Sequence, residues 1–327
     1  MSTTNAAYYR SIADMNEVIL RELYRIPRGV DLVVGIPRSG LLAANIIALY
    51  LNTPLTDLEG LKERRILSKG KRKIQNYGEN LVDTAKKILI VDDCVSQGTE
   101  MRRARSFIED LGLSNRCLFL TIFCFPEHPR EADIVLEKIP RPMCFQWSFL
   151  HTPELKYFAL DIDNLIFREA TPEERISDES YINFLKNAKP LLLPTYPVGW
   201  LFSGRPEKYR ALTEKWLKTH GVEYENLVMM ESPEKDIRDV SGEEEAQFKA
   251  DAYKQSDAIL LIVDCPQLAE SISELADKPT LCMKSDRLIP APSLEAREIT
   301  LLRWRYLIRR IGRFTKRVFN PRAWATS

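Results

Sequence analysis

The sequence predicts an α/β chain: two doubly wound domains with mainly parallel sheets, followed by a basic C-terminal helix. Short apolar runs without polar alternation recur along the chain, amphipathic segments separate them, and two such series stand about 150 residues apart. Continuous apolar runs of this length describe strands covered by helices on both faces. In order they are Val30–Gly35, Lys87–Val91, Leu118–Phe123, Tyr157–Leu160, Trp200–Phe202 and Ala258–Val263. A proline-rich stretch, Pro126–Pro153, lies between the two series. The expected organisation is therefore a first domain over residues 1–153, a second over 154–290 and a tail over 291–327.

Composition narrows the function classes. The 327 residues carry a net charge of +1, which excludes a generally basic nucleic-acid coat and an acidic disordered chain. Eight of the basic residues fall between Ile299 and Ser327 with no acid among them, so the rest of the chain is acidic. The six cysteines form no CxxC pair and only three histidines are present, so reduced thiols are expected rather than a zinc cage or disulfide framework. No basic segment followed by an apolar stretch opens the chain. Its longest largely apolar stretch, Leu41–Leu51, is shorter than the roughly 20 residues a spanning helix needs. A cytoplasmic protein is expected.

Ile88–Met101, ILIVDDCVSQGTEM, is a buried strand delivering two acids, then a small polar loop, then a helix. Backbone N–H groups of such a loop and helix start can hold a phosphate, and Asp92 and Asp93 can accept hydrogen bonds from vicinal ribose hydroxyls. Helix capping alone would explain an acid pair, but not the whole string. This string resembles the phosphoribosyl diphosphate (PRPP) signature of type I phosphoribosyltransferases. The resemblance implies that Asp92 and Asp93 contact the ribose and that Ser96, Gln97, Gly98 and Thr99 wrap the 5-phosphate. Glu100 departs from the family, which often has a hydroxyl residue there. Val34–Ala44, VGIPRSGLLAA, is similar to the family's pyrophosphate- and magnesium-binding loop, which makes Pro37, Arg38, Ser39 and Gly40 candidates. The basic run Leu61–Lys73 reads either as a solvated loop or, by its position, as a mobile loop over PRPP, with Arg65, Lys69, Lys71 and Arg72 as cations. Mg2+ and these cations would stabilise departing pyrophosphate. Pro140–His151, with Trp147, is the candidate acceptor end.

Tyr157–Phe167, YFALDIDNLIF, delivers two carboxylates at spacing i, i+2, which share a side in an extended chain. One can attack phosphorus while the other moves a proton, with a divalent cation easing their repulsion. WLFSGR at Trp200–Arg205, FKADAYK at Phe248–Lys254 and AILLIVD at Ala258–Asp264 follow in order. An ordinary helix lysine and a strand-end acid would explain the later elements singly. The series resembles haloacid dehalogenase (HAD) phosphatases over roughly Lys156–Cys282. That implies Asp161 as nucleophile, Asp163 as general acid/base, Ser203 on the phosphoryl group and Lys249 on its charge, with Lys254 in reserve. It also implies Mg2+ held by Asp161, Asp163 and Asp264. Asn164-Leu165 departs from the usual Gly-Thr or Gly-Val, and Cys265-Pro266 follows Asp264 without a close second acid. Little sequence separates Asp163 from Ser203, so no large cap is expected and the site should be open.

Leu301, Trp304, Ile308, Ile311, Phe314 and Val318 recur at three- or four-residue steps among arginines and lysines, the pattern of a basic amphipathic helix. Such a helix suits docking on the chain's own acidic body or on an anionic membrane surface, at the inner face of the cell membrane. No nucleic-acid partner is expected, and a homo-oligomer is compatible with the sequence. The resemblances together imply two Rossmann-like domains, a phosphoribosyltransferase fold and then a HAD-like fold. The whole chain resembles fused phosphoribosyltransferase–phosphatase proteins that add ribofuranose to bacterial surface polysaccharides such as O antigen. The expected reaction transfers 5-phosphoribosyl from PRPP to a glycan hydroxyl, on a lipid-linked acceptor, and then removes the 5-phosphate to leave β-ribofuranose. Nucleobase salvage with an accessory phosphatase, and a PRPP-sensing non-catalytic regulator, are the alternatives.

Overall fold

The computed structural model describes residues 7–68, 81–126, 130–231 and 241–293. Lys69, Lys71, Arg72 and the basic C-terminal helix lie outside the described residues. The chain divides into two compact α/β units, Tyr8–Phe149 and Leu150 onward. Among the described residues, no helix is long and apolar enough to cross a membrane.

The first unit runs β1 (Tyr8–Arg10), α1 (Ile12–Glu22), β2 (Leu32–Gly35), α2 (Ser39–Leu51), β3 (Leu55–Asp57), α3 (Leu58–Lys62) and α4 (Leu81–Thr84). It continues through β4 (Ile88–Val95), α5 (Thr99–Asp110), β5 (Cys117–Cys124), β6 (Ile134–Lys138) and β7 (Met143–Phe145). Five strands form a wholly parallel sheet in the order β3-β2-β4-β5-β6, and β1 pairs with β7 separately. The apolar strands feed two cores by alternation. Val33, Leu89, Val91, Leu120 and Ile122 pack with Met15, Val18 and Ile19 of α1 and Ala43, Ala44 and Ile47 of α2. Leu32, Val34, Ile88, Ile90 and Phe119 turn the other way, onto Met101, Ala104 and Ile108 of α5. Both sheet faces are thus dry, which is why these strands lack polar alternation. Helix α1 begins at a capping box, Ser11 accepting from the Asp14 N–H while the Asp14 carboxylate accepts from the Ser11 N–H.

The second unit runs β8 (Phe158–Asp161), α6 (Asp178–Asn187), β9 (Val198–Pro206), α7 (Arg210–Thr219), β10 (Tyr224–Met230) and α8 (Gly242–Gln255). It ends with β11 (Leu260–Val263), α9 (Pro266–Ala276), β12 (Thr280–Cys282) and β13 (Arg287–Ile289). Its sheet order is β10-β9-β8-β11-β12-β13, parallel except for the β12–β13 pair. Ala159, Phe202, Leu261 and Val263 pack against Ala246, Ala250 and Tyr253 of α8 and Ala269 and Ile272 of α9. Beyond β8, Phe167 meets Trp216 of α7 at 4.3 Å between ring centres, and the Trp216 indole donates to the Ala188 carbonyl at 2.8 Å.

Strand order fixes where a ligand fits. In each sheet the order reverses once, between β2 and β4 and between β8 and β11. Loops leaving the carboxyl ends of two such strands diverge to opposite faces and leave a crevice. Two elements extend past the apolar runs that announce them. Strand β4 continues through Asp92 and Asp93 to Val95, and β9 continues through Ser203 to Pro206, so these polar residues lie within strands rather than after them. Asp93 and Ser203 meet partners off their own strands, Ser39 and Trp147 for the first and Asp163 for the second, whereas Asp92 Oδ1 accepts from the Asp93 N–H.

Candidate active sites

At the β2–β4 crevice the structure brings the two predicted loops together. The turn after β2 presents exposed Pro37 and Arg38, joined by a cis peptide, and Ser39 opens α2. The Ser39 hydroxyl donates to Asp93 Oδ1 at 2.7 Å, joining loops 54 residues apart. Gly40 packs on the other acid: a Cβ there would stand 2.8 Å from the Val91 carbonyl and 2.9 Å from Asp92 Oδ1, so only glycine allows this approach. Both acids are buried. Burial first, and then the charge of Asp93, raises the Asp92 carboxyl well above the usual range.

The loop after β4 wraps a cleft of about 210 Å³ lined by Asp92 and residues 94–101. Gly98 takes a left-handed φ of 76° and caps α5, so the helix's first N–H groups and the Ser96 and Thr99 hydroxyls edge the cleft. Arg102 braces the loop from outside, donating to the Gln97 carbonyl at 3.1 Å and to Glu131 at 2.7 Å. Arg65 is turned elsewhere, pairing with Glu63 at 3.2 Å and Asp57 at 3.5 Å.

Two contacts were not foreseen. The Trp147 indole N–H donates to Asp93 Oδ2 at 2.8 Å, so both oxygens of this carboxylate are engaged. Trp147 stacks on Phe145 at 4.5 Å and 16°, and Phe145 in turn lies 5.4 Å from Phe123. Arg141 lies over the Phe125 ring at 4.0 Å and donates to the Ser96 hydroxyl at 3.1 Å. Trp147 is legible as an aromatic in the acceptor segment. Arg141 gives no local signal, since its partner lies 45 residues away.

At the β8–β11 crevice four predicted side chains meet. Lys249, fully buried on α8, donates to Asp161 Oδ2 at 2.6 Å, and the Asp163 N–H donates to Asp161 Oδ1 at 3.2 Å. The Ser203 hydroxyl donates to Asp163 Oδ2 at 2.7 Å. Asp264 follows β11 and accepts from the Asn164 amide at 2.7 Å. Lys254, the reserve lysine, is exposed. Asp161, Asp163 and Asp264 line one cleft of about 600 Å³ with Asn164, Glu245 and Cys265.

Arg205 and Glu245 were not foreseen. Arg205, buried, donates to Asp163 Oδ1 at 2.7 Å and lies 4.0 Å over the Phe167 ring. Glu245 shares the Lys249 ammonium with Asp161. Burial pushes the Asp161 carboxyl up against the pull of Lys249. Burial also acts on Asp163, but Arg205 and Lys249 outweigh it and hold that carboxyl below its ordinary value. On Lys249, Asp161 and Glu245 outweigh burial and keep the ammonium charged. The sequence hint for Arg205 is its place two residues beyond Ser203 on the same strand, which puts both on one face. Arg205→Met should destabilise the chain by about 3 kcal/mol in chemical denaturation, because it strands Asp163 beside Asp161.

Among the described residues no cluster of three or more His, Cys, Asp or Glu is assembled around a metal position. The donor chemistry of Asp161 and Asp264 still fits a hard cation such as Mg2+, since both are carboxylates on one cleft. The Asp163 carboxylate is occupied by Arg205 and Ser203.

Residues 3–136 match the phosphoribosyl transferase domain family. The transcriptional regulator GfcR of Methanocella arvoryzae (strain DSM 22066 / NBRC 105507 / MRE50) is 32% identical over 103 residues, covering 31% of this chain and 48% of that protein. The chain thus spans about half the length of this curated relative. Among solved structures, the purine phosphoribosyltransferase of Pyrococcus horikoshii Ot3 is 17% identical, with a TM-score of 0.32 over 43% of this chain and 94% of that one. The Helicobacter pylori xanthine-guanine-hypoxanthine phosphoribosyltransferase is 16% identical, with a TM-score of 0.33 over 43% and 92%.

Proposed function

We propose, with residues 3–136 as a phosphoribosyl transferase domain, that the chain transfers 5-phosphoribosyl from PRPP to a glycan hydroxyl and then removes the 5-phosphate. The observation that carries this reading is the pairing of two built crevices in one chain. One joins Ser39 to Asp93; the other joins Asp161 to Lys249 and Asp163 to Ser203.

In the first step Asp92 and Asp93 receive the ribose hydroxyls. For Asp93 this requires exchanging Ser39 or Trp147 for substrate. Ser96, Gln97, Gly98 and Thr99 hold the 5-phosphate, while Pro37, Arg38, Ser39 and Gly40 hold the diphosphate. Mg2+, when bound with the diphosphate, neutralises charge on the leaving group. The acceptor oxygen attacks ribose C1 from the face opposite the departing pyrophosphate and loses its proton to water, giving the β-linked product. Gly40→Ala should weaken PRPP binding about tenfold or more, because the added methyl must displace Asp92 or the Val91 carbonyl; calorimetric titration with PRPP checks this.

In the second step Asp161 attacks phosphorus and forms an aspartyl-phosphate as the bond from phosphorus to ribose O5 breaks; O5 takes a proton from water and leaves as the product hydroxyl, with Lys249 and Ser203 on the phosphoryl oxygens. Asp163, held ionised by Arg205, takes the proton from the water that hydrolyses that intermediate. Asp161 and Asp264 would hold Mg2+, which supplies charge neutralisation between phosphate and carboxylates. A lipid-linked acceptor places this chemistry in the cytoplasm at the inner membrane face.

The similarity to GfcR, a transcriptional regulator, favours a second reading in which the first unit binds PRPP without turning it over. Incubation with PRPP, Mg2+ and lipid-linked glycans, followed by mass analysis, separates the two. The transferase reading expects a glycan carrying one added pentosyl unit; the regulator reading expects intact PRPP.

A further inference from the structure

We propose that Arg141 is a direct ligand of the phosphate held by the Ser96–Thr99 loop, a role that rests on the PRPP reading. Among the described residues, the cleft inside that loop is lined by Asp92 and residues 94–101, a set that includes Glu100 and no lysine or arginine. A phosphate dianion placed there faces Asp92 at its floor and Glu100 at its rim. The start of α5 offers only about half a positive charge. Among the described residues, further countercharge comes only from a side chain reaching in from elsewhere.

The nearby cations on α5 are committed. Arg102 bonds Glu131 at 2.7 Å and the Gln97 carbonyl at 3.1 Å, and Arg103 bonds Glu100 at 2.5 Å. Arg141 arrives from a different part of the chain, the turn before β7. Its Nη2 stands 3.1 Å from Ser96 Oγ, a hydroxyl that edges the cleft. Its guanidinium plane is fixed by the Phe125 ring at 4.0 Å, so the fork is oriented before any ligand binds. A phosphate oxygen accepting from the Ser96 hydroxyl would lie within reach of the same fork. Arg141 thus supplies the charge-assisted bond that the loop's own residues do not.

Calorimetric titration of the full chain with ribose 5-phosphate and, separately, with Mg2+-pyrophosphate tests this. Arg141→Ala should weaken ribose 5-phosphate binding about tenfold to a hundredfold and leave pyrophosphate binding unchanged. Arg141→Lys, which keeps the charge but not the fork, should recover part of the loss. Equal ribose 5-phosphate affinity in Arg141→Ala and wild type would overturn the assignment. So would a parallel loss for both probes, which marks a structural role. Wild-type protein that binds pyrophosphate and PRPP but shows no ribose 5-phosphate binding would overturn the Arg141 assignment alone; wild type that binds none of the three overturns the PRPP reading with it.

Discussion

Asp161→Asn is expected to leave pyrophosphate release from PRPP intact while cutting phosphate release at least about a thousandfold, so that a phosphorylated pentosyl product accumulates. The substitution removes the attacking oxygen and keeps the shape. Lys249 retains Glu245 as a partner, so its ammonium is not left alone in the interior. Asp163 keeps Arg205 and Ser203, and the surrounding crevice therefore persists. The loss would be chemical rather than structural, and an unchanged unfolding midpoint alongside product analysis checks that. Phosphate release at the wild-type rate would remove Asp161 from the role of nucleophile.

Asp92→Asn is expected to weaken PRPP binding by about a hundredfold or more, with stability held or raised. The stability half follows from the direction of the Asp92 shift. Burial and neighbouring Asp93 raise its folded pKa above the unfolded value. Such a carboxyl supports folding fully below its unfolded pKa, and that support is lost as pH rises through the folded value. Neutral pH lies above the unfolded value, so the wild-type chain has there lost part of that support, whereas Asn does not titrate. Thermal unfolding across that pH window should show a wild-type decline that the variant lacks. A variant that unfolds more easily than wild type at neutral pH would contradict this account of Asp92, as would undiminished PRPP affinity.

On the proposed reading function opposes stability at Asp92, as at sites where charge is gathered for a substrate rather than for the fold. The same opposition explains what the sequence made legible. Asp92, Asp93, Asp161 and Asp163 end apolar runs, and although helix capping would explain an acid pair alone, it does not explain the strings that follow them. Ser39, Ser203 and Lys249 were readable through their order relative to those acids. Their partners were harder. Arg205 looks like a surface residue on composition, yet it is buried because Asp163 and Phe167 receive it. Trp147 and Arg141 join sites 54 and 45 residues away, distances over which no periodicity operates.

Element lengths failed for a related reason. The apolar signal ends at Val91 and at Phe202, whereas the ladders continue to Val95 and Pro206, because hydrogen bonding between strands does not depend on the side chains being apolar. Short strands gave still less. β3, β12 and β13 have three residues each, and β1 and β7, equally short, pair among the described residues only with each other. The crevices themselves were not in any local pattern. They arise from the reversal of strand order, a property of the whole sheet.

The proposed two-step reaction is tested most directly by following pyrophosphate and phosphate together in one reaction of the full chain with PRPP, Mg2+ and a lipid-linked glycan. The account predicts equal final amounts, pyrophosphate leading, with Asp92→Asn losing both and Asp161→Asn losing phosphate alone. Phosphate released without pyrophosphate, or released undiminished by Asp92→Asn, would contradict it.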